Sequence, residues 1–122
     1  MTKGILLVSH TTEIPEGLKR LISEVAKGVS ITTAGGLEDG STGTSMEKIL
    51  QAIEENESNE LFAFYDLGSA KMNLEMAIEM TEKKVELFDT AFVEGAYTAS
   101  ALLAAEADEE EIKAQLQKLI IK

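Results

Sequence analysis

A chain of 122 residues with no cysteine, no tryptophan and a net charge of −11 excludes several classes at once. Without cysteine there is no disulfide framework and no thiolate chemistry, and 11 basic against 22 acidic residues leave none of the Lys/Arg stripes that nucleic acids or anionic membranes require. No apolar run approaches the roughly 18 residues of a membrane span, and a strand pattern beginning at Lys3 is not a signal peptide.

The length is that of one domain, expected to span 1–122, with a core that is mostly aliphatic because only 5% of residues are aromatic. A cysteine-free chain fits a reducing cytoplasm. The acidity keeps the surface soluble and steers basic protein partners towards it.

The first element is a short apolar strand over residues 4–8, apolar on both faces as covered parallel strands are. It ends in Ser-His-Thr and so delivers the only histidine, His10, to a loop. Residues 14–27 follow as a helix, with Leu18, Leu21, Ile22 and Val25 at helical spacing, Pro15 in the first turn and Gly28 as the stop. Residues 29–34 are a β-branched second strand. Residues 35–43 form a polar loop with four glycines. Thr44 or Ser45 caps the next helix, whose apolar face carries Ile49, Leu50 and Ile53.

Residues 56–59 make a turn into a third strand at 60–65, and Asp66-Leu-Gly-Ser69 is a tight loop into a helix over 69–82. Met72, Met76 and Met80 recur every four residues on that helix, a stripe expected to pack in the core. Residues 84–88 are a fourth strand closed by Asp89. A small-residue-rich helix follows over 91–105, then a last helix over 108–122. The carboxylates of Asp108 to Glu111 suit the positive end of that helix as a solvated start.

Strands alternating with helices imply an α/β fold: an open, doubly wound, mainly parallel sheet with right-handed crossovers, strand order 2-1-3-4 and helices on both faces. Strands 1 and 3 are then neighbours whose crossovers leave in opposite directions. The cleft above their carboxyl ends is where such sheets bind ligands. His10 follows strand 1, Asp66 follows strand 3, and the glycine loop follows strand 2.

A neutral imidazole is both a nucleophile and a proton carrier near pH 7. Asp66 is placed to hold its other nitrogen, with capping of the third helix as a rival role. The glycine loop, with Gly43, Thr44 and Ser45, offers backbone amides and hydroxyls beside a helix N-terminus, an anion-binding arrangement. Thr11, Gly68 and Ser69 add donors from the His10 side. No lysine or arginine falls in these motifs, which suits transient holding of a phosphoryl group better than tight nucleotide binding. A receiver domain wants acidic residues where Ser9 and His10 stand, and a P-loop wants a GxxxxGK[ST] segment that is absent. One histidine without cysteine makes a zinc site unsuited, and no metal or cofactor is expected.

Residues 3–11, the Gly-Gly…Gly-Ser-Thr-Gly-Thr-Ser loop and Phe64-Tyr-Asp-Leu-Gly-Ser-Ala70 together resemble the EIIA domain of the mannose family of the bacterial phosphotransferase system. Within it, the resemblance is to phosphoryl donor subunits of dihydroxyacetone kinases, and it covers essentially the whole chain. It implies that His10 is phosphorylated on Nε2 by the carrier HPr, itself charged from phosphoenolpyruvate through enzyme I. It implies that Asp66 is the strand-3 carboxylate beside that histidine. The phosphate would then pass to ADP bound in the DhaL subunit, which serves dihydroxyacetone held covalently by DhaK. Homodimers are usual in the family. The chain ends at Lys122 without an HPr-like extension or an EIIB domain, which favours the dihydroxyacetone route with a separate HPr. Two alternatives stand beside this reading: an EIIA of a sugar transporter working with a separate EIIB, and a non-covalent phosphate-ligand or regulatory domain.

Overall fold

The computed structural model describes residues 3–122; the first two residues of the expected 1–122 domain lie outside the described residues. Four parallel strands, β1 (Gly4–Ser9), β2 (Ile31–Gly35), β3 (Glu60–Tyr65) and β4 (Lys84–Phe88), form one sheet in the order β2-β1-β3-β4. Five helices surround it: α1 (Glu13–Ser23), α2 (Met46–Glu55), α3 (Gly68–Met80), α4 (Phe92–Ala104) and α5 (Glu109–Gln117). The fold class and strand order are those expected from the alternation of elements.

β1 is buried along its whole length, and its alternate residues serve opposite faces. Ile5 and Leu7 join Leu18 and Ile22 of α1, Phe62 and Phe64 of β3, Leu103 of α4 and Leu116 of α5 in one cluster. Leu6 and Val8 point the other way, into a cluster with Ile49 and Ile53 of α2 and Leu74 of α3. Each such aliphatic side chain contributes about 1.5–3 kcal/mol by leaving water. A central strand with two cores cannot slip by one residue, because that would exchange the faces of every side chain. Register is thereby set at the strand ends that carry the polar loops.

The structure departs from the sequence reading in several places. α1 stops at Ser23, four residues short of the expected end, because Val25 and Ala26 turn their N–H groups back to the Ile22 carbonyl. Gly28, with φ +88°, instead completes the connection into β2. β2 starts at Ile31, where pairing with β1 begins; the Ser30 carbonyl accepts from Ile5 N–H at 2.9 Å. α5 ends at Gln117, after which the chain turns back and Ile120 bridges antiparallel to Thr90.

The methionine stripe is the clearest correction. Met72, Met76 and Met80 are 69%, 46% and 61% exposed, and α3 buries Ala70, Leu74 and Ala77 instead. Two positions along a helix is about 200° around its axis. The small side chains of Ala70 and Ala77 let α3 approach the sheet closely, and the methionines are left on the outer face.

Gly35 ends β2 beneath the loop that follows β1. A Cβ there would fall 2.0 Å from the Thr11 carbonyl oxygen, and backbone cannot yield as a flexible side chain can. Gly35→Ala is expected to destabilise the fold by about 1–3 kcal/mol. Urea unfolding checks this: the midpoint drops while the slope stays constant.

Candidate active site at the carboxyl end of the sheet

β1 and β3 run side by side with Val8 opposite Tyr65, so the residues just beyond them, Ser9, His10 and Asp66, meet above the sheet. The Asp66 N–H donates to the Val8 carbonyl at 3.2 Å, which extends the ladder to the carboxylate itself. Each Asp66 oxygen then collects two donors. Oδ2 accepts from the Ser9 hydroxyl at 2.8 Å and from the His10 N–H at 3.0 Å. Oδ1 accepts from the Leu67 N–H at 2.7 Å and meets His10 Nδ1 at 3.0 Å. Oδ1 contacts both the imidazole and the Leu67 N–H, but Leu67 is itself the N-cap of α3 and that helix has no side-chain cap, so Asp66 does not take the rival capping role.

The ionised carboxylate has no proton to give, so in the neutral imidazole the proton sits on Nδ1 and Nε2 keeps its lone pair. Nε2 lies 2.6 Å from the Ser69 hydroxyl, which donates to it in this tautomer. The imidazole is thus clamped at both nitrogens. His10 and Asp66 side chains are only 18% and 12% exposed, while Ser69 is exposed on the outer side of Nε2. Burial alone would push the Asp66 carboxyl up. The hydrogen bonds from the His10 N–H, Ser9, the His10 ring and the Leu67 N–H outweigh burial and hold it below the ordinary aspartate range.

Of the other expected site residues, Gly43 and Ser69 bond to His10, while the side chains of Thr11, Thr44 and Ser45 have partners elsewhere. Thr11 Oγ1 accepts from the Ile14 N–H at 3.3 Å at the start of α1. The Gly43 N–H donates to the His10 carbonyl at 2.9 Å, so the glycine loop grips the histidine's own peptide. Gly43 holds φ +147°, which L side chains rarely adopt. Thr44 Oγ1 accepts from Asn73 Nδ2 at 2.7 Å, tying that loop to α3. Ser45 caps α2: its hydroxyl accepts from the Lys48 N–H at 3.2 Å and donates to Glu38 at 2.5 Å. Gly68 and Ser69 open α3, whose N-cap Leu67 supplies no side-chain cap, and both are exposed. Amides in such a first turn face outward and attract anions.

Ser9 was not singled out from the sequence. It is fully buried, and a buried hydroxyl at a strand end needs a partner, which is the one available signal. Among the described residues no group of three His, Cys, Asp or Glu side chains is arranged to hold a metal ion. No helix there is long and apolar enough to cross a membrane.

The fold is an open parallel sheet with an imidazole held at its switch point, and residues 4–113 match the EIIA-man family model, described as the PTS system fructose IIA component. The chain belongs to that family. It is similar to the phosphotransferase subunit DhaM of a PTS-dependent dihydroxyacetone kinase from Lactococcus lactis, with 56% identity over 99% of this chain and 98% of the relative. It is also 44% identical to the phosphoryl donor subunit DhaM of a PEP-dependent dihydroxyacetone kinase from Listeria innocua, over 98% of this chain and 96% of that one. A solved protein of unknown function superposes with a TM-score of 0.85 at 36% identity, covering 100% of this chain and 98% of its own. The mannose/sorbose-specific IIA subunit from Enterococcus faecalis shares the fold, with a TM-score of 0.54 at 20% identity, over 98% of this chain and 89% of its own.

Proposed function

We propose that this protein is a phosphohistidine carrier: His10 takes a phosphoryl group from HPr and passes it to ADP bound in the DhaL subunit of a dihydroxyacetone kinase. The observation that carries the reading is the imidazole held between Asp66 and Ser69, with Nε2 on the accessible side. The similarity to DhaM subunits along nearly the whole chain supplies the pathway. The same proposal takes the protein to be cytoplasmic, one domain over 1–122 and a homodimer, with DhaK served indirectly through DhaL.

In the transfer step the Nε2 lone pair forms a new N–P bond as the donor's P–N bond breaks. The departing donor nitrogen retains the electron pair of that bond. Nδ1 keeps its proton, so the loaded ring is a phosphorylated imidazolium whose positive charge lies against the Asp66 carboxylate. The Ser69 hydroxyl, released from Nε2, turns to a phosphoryl oxygen, joined by the amides of Gly68 and Ser69 and by Thr11. The glycine loop acts on the histidine's peptide instead: the Gly43 N–H is taken by the His10 carbonyl and the Ser45 hydroxyl by Glu38, which leaves the phosphoryl group to the α3 side. Neutral donors hold the dianion without trapping it, which lets the same nitrogen face HPr and DhaL in turn.

The test is phosphorylation by phosphoenolpyruvate, enzyme I and HPr, followed by a chase onto DhaL with ADP or onto a mannose-type EIIB. An acid-labile, base-stable phosphate that moves to ADP is the expected result. Transfer to EIIB alone would move the protein to sugar transport, and saturable phosphate-ligand binding without labelling would leave only a binding domain. Ser69→Ala is expected to slow loading roughly tenfold, the effect of one hydrogen bond to a charged group. Rapid-quench kinetics with phospho-HPr checks this.

A further inference from the structure

The end of the described chain brings a cation to a site whose motifs contain none. After α5 the chain returns beside Thr90, and the Asp89 carbonyl accepts from the N–H groups of Ile121 and Lys122 at 3.1 and 3.3 Å. These bonds fix where the Lys122 side chain can reach. Its ammonium donates to the Tyr65 carbonyl at 2.8 Å and the Asp66 carbonyl at 3.1 Å, and sits 4.4 Å from the centre of the Tyr65 ring. Both carbonyls belong to the turn that carries the Asp66 carboxylate.

The surroundings hold the lysine there. Tyr65 donates its hydroxyl to Asp89 at 2.5 Å, and Lys71 of α3 pairs with the same Asp89 oxygen at 3.0 Å. Asp89 is therefore shared with Lys71. Withdrawal from water lowers the Lys122 pKa, and Asp66 and Asp89 pull it back up. Lys122 is nonetheless exposed as a residue, so its charge is open to screening by salt.

We propose that Lys122 is a positioning residue for phosphoryl transfer at His10. It locks the peptide that aims Asp66, and it sets a fixed positive charge behind the carboxylate to offset the incoming phosphate. The electrostatic need is concrete. A phosphoryl group adds about two negative charges near neutral pH, next to Asp66, on a chain already at −11. The imidazolium cancels one of these charges, and Lys122 is the cation bonded to the orienting turn. The inference rests on the carrier reading above.

The test measures the equilibrium constant for loading of the full chain by phospho-HPr, at low and raised salt, for the parent protein, Lys122→Met and Lys122→Arg. Methionine keeps most of the stem and removes the charge. Loading of Lys122→Met is expected to fall roughly fivefold at low salt and to depend less on salt, as loss of one nearby compensating charge requires. Lys122→Arg should stay within about twofold of the parent, since it restores the charge. Thermal unfolding of all three shows whether a loss of loading follows a loss of fold. A Met variant that loads to the parent's extent with the parent's salt dependence overturns the proposal, and so does an Arg variant as impaired as the Met variant. A parent protein that takes no phosphate from HPr brings down the carrier reading itself, a result distinct from either of these.

Discussion

His10→Ala is expected to lose all acid-labile labelling while remaining folded. The chain has no second histidine and no cysteine, so no other side chain offers a neutral nitrogen or thiolate of comparable nucleophilicity. The loss is therefore complete, not partial. The structural cost is small because Asp66 keeps three of its four donors: the Ser9 hydroxyl, the His10 N–H, which belongs to the backbone, and the Leu67 N–H. Removing the fourth contact costs about 1 kcal/mol. Labelling with phosphoenolpyruvate, enzyme I and HPr, run beside a urea melt, checks both halves. Labelling of the variant at the parent's level would place the phosphate elsewhere on the chain.

Asp66→Asn has the next largest effect, for a geometrical reason. The site presents four donors to this side chain, and an amide has a single oxygen to receive them. If the oxygen takes the Ser9 side, the amide NH2 faces the imidazole, which must flip its tautomer and bury its lone pair at Nδ1. Nε2 then carries a proton and is no longer a nucleophile. If the oxygen takes the imidazole side, the NH2 is pressed against the His10 N–H. Either way the loaded imidazolium also loses its counter-charge. Loading should fall by roughly 10–100-fold or more, the cost of removing a carboxylate that orients a metal-bound histidine taken as the guide.

The same variant makes a pH prediction. Because the folded Asp66 carboxyl titrates below the ordinary value of 3.8, its contribution to stability is complete above that value. It is lost as pH falls through the lower, folded-state value. The stability gap between the parent and Asp66→Asn should accordingly be widest at neutral pH and close in stronger acid. Urea midpoints measured from pH 7 downward check the sign; a gap that widens on acidification would contradict it.

The exposed methionines of α3 show where a periodic pattern stops being informative. Spacing of four marks a helical stripe, but not which stripe faces the sheet when another runs through Ala70, Leu74 and Ala77. The tie is broken by how near two backbones can come, which depends on the small size of the alanines. α1 and α5 end early for a related reason. Their last expected residues carry no Gly or Pro to stop a helix, but connection to β2 and bridging at Thr90 demand a reversal there.

By itself, the order of residues determined that strands and helices alternate, that the sheet is parallel with β1 and β3 adjacent, and that His10 and Asp66 stand at neighbouring carboxyl ends. Those conclusions follow from local periodicity and the handedness of crossovers, both short-range properties of an L-peptide chain. Only the tertiary structure decided that Ser9 shares the carboxylate, that Gly43 grips the His10 carbonyl, that Ser69 closes on Nε2 and that Lys122 reaches the Asp66 peptide. The last of these contacts spans 56 positions along the chain. Hydrogen bonds of that kind depend on distances of a few ångströms between segments whose separation is set by the packing of both cores.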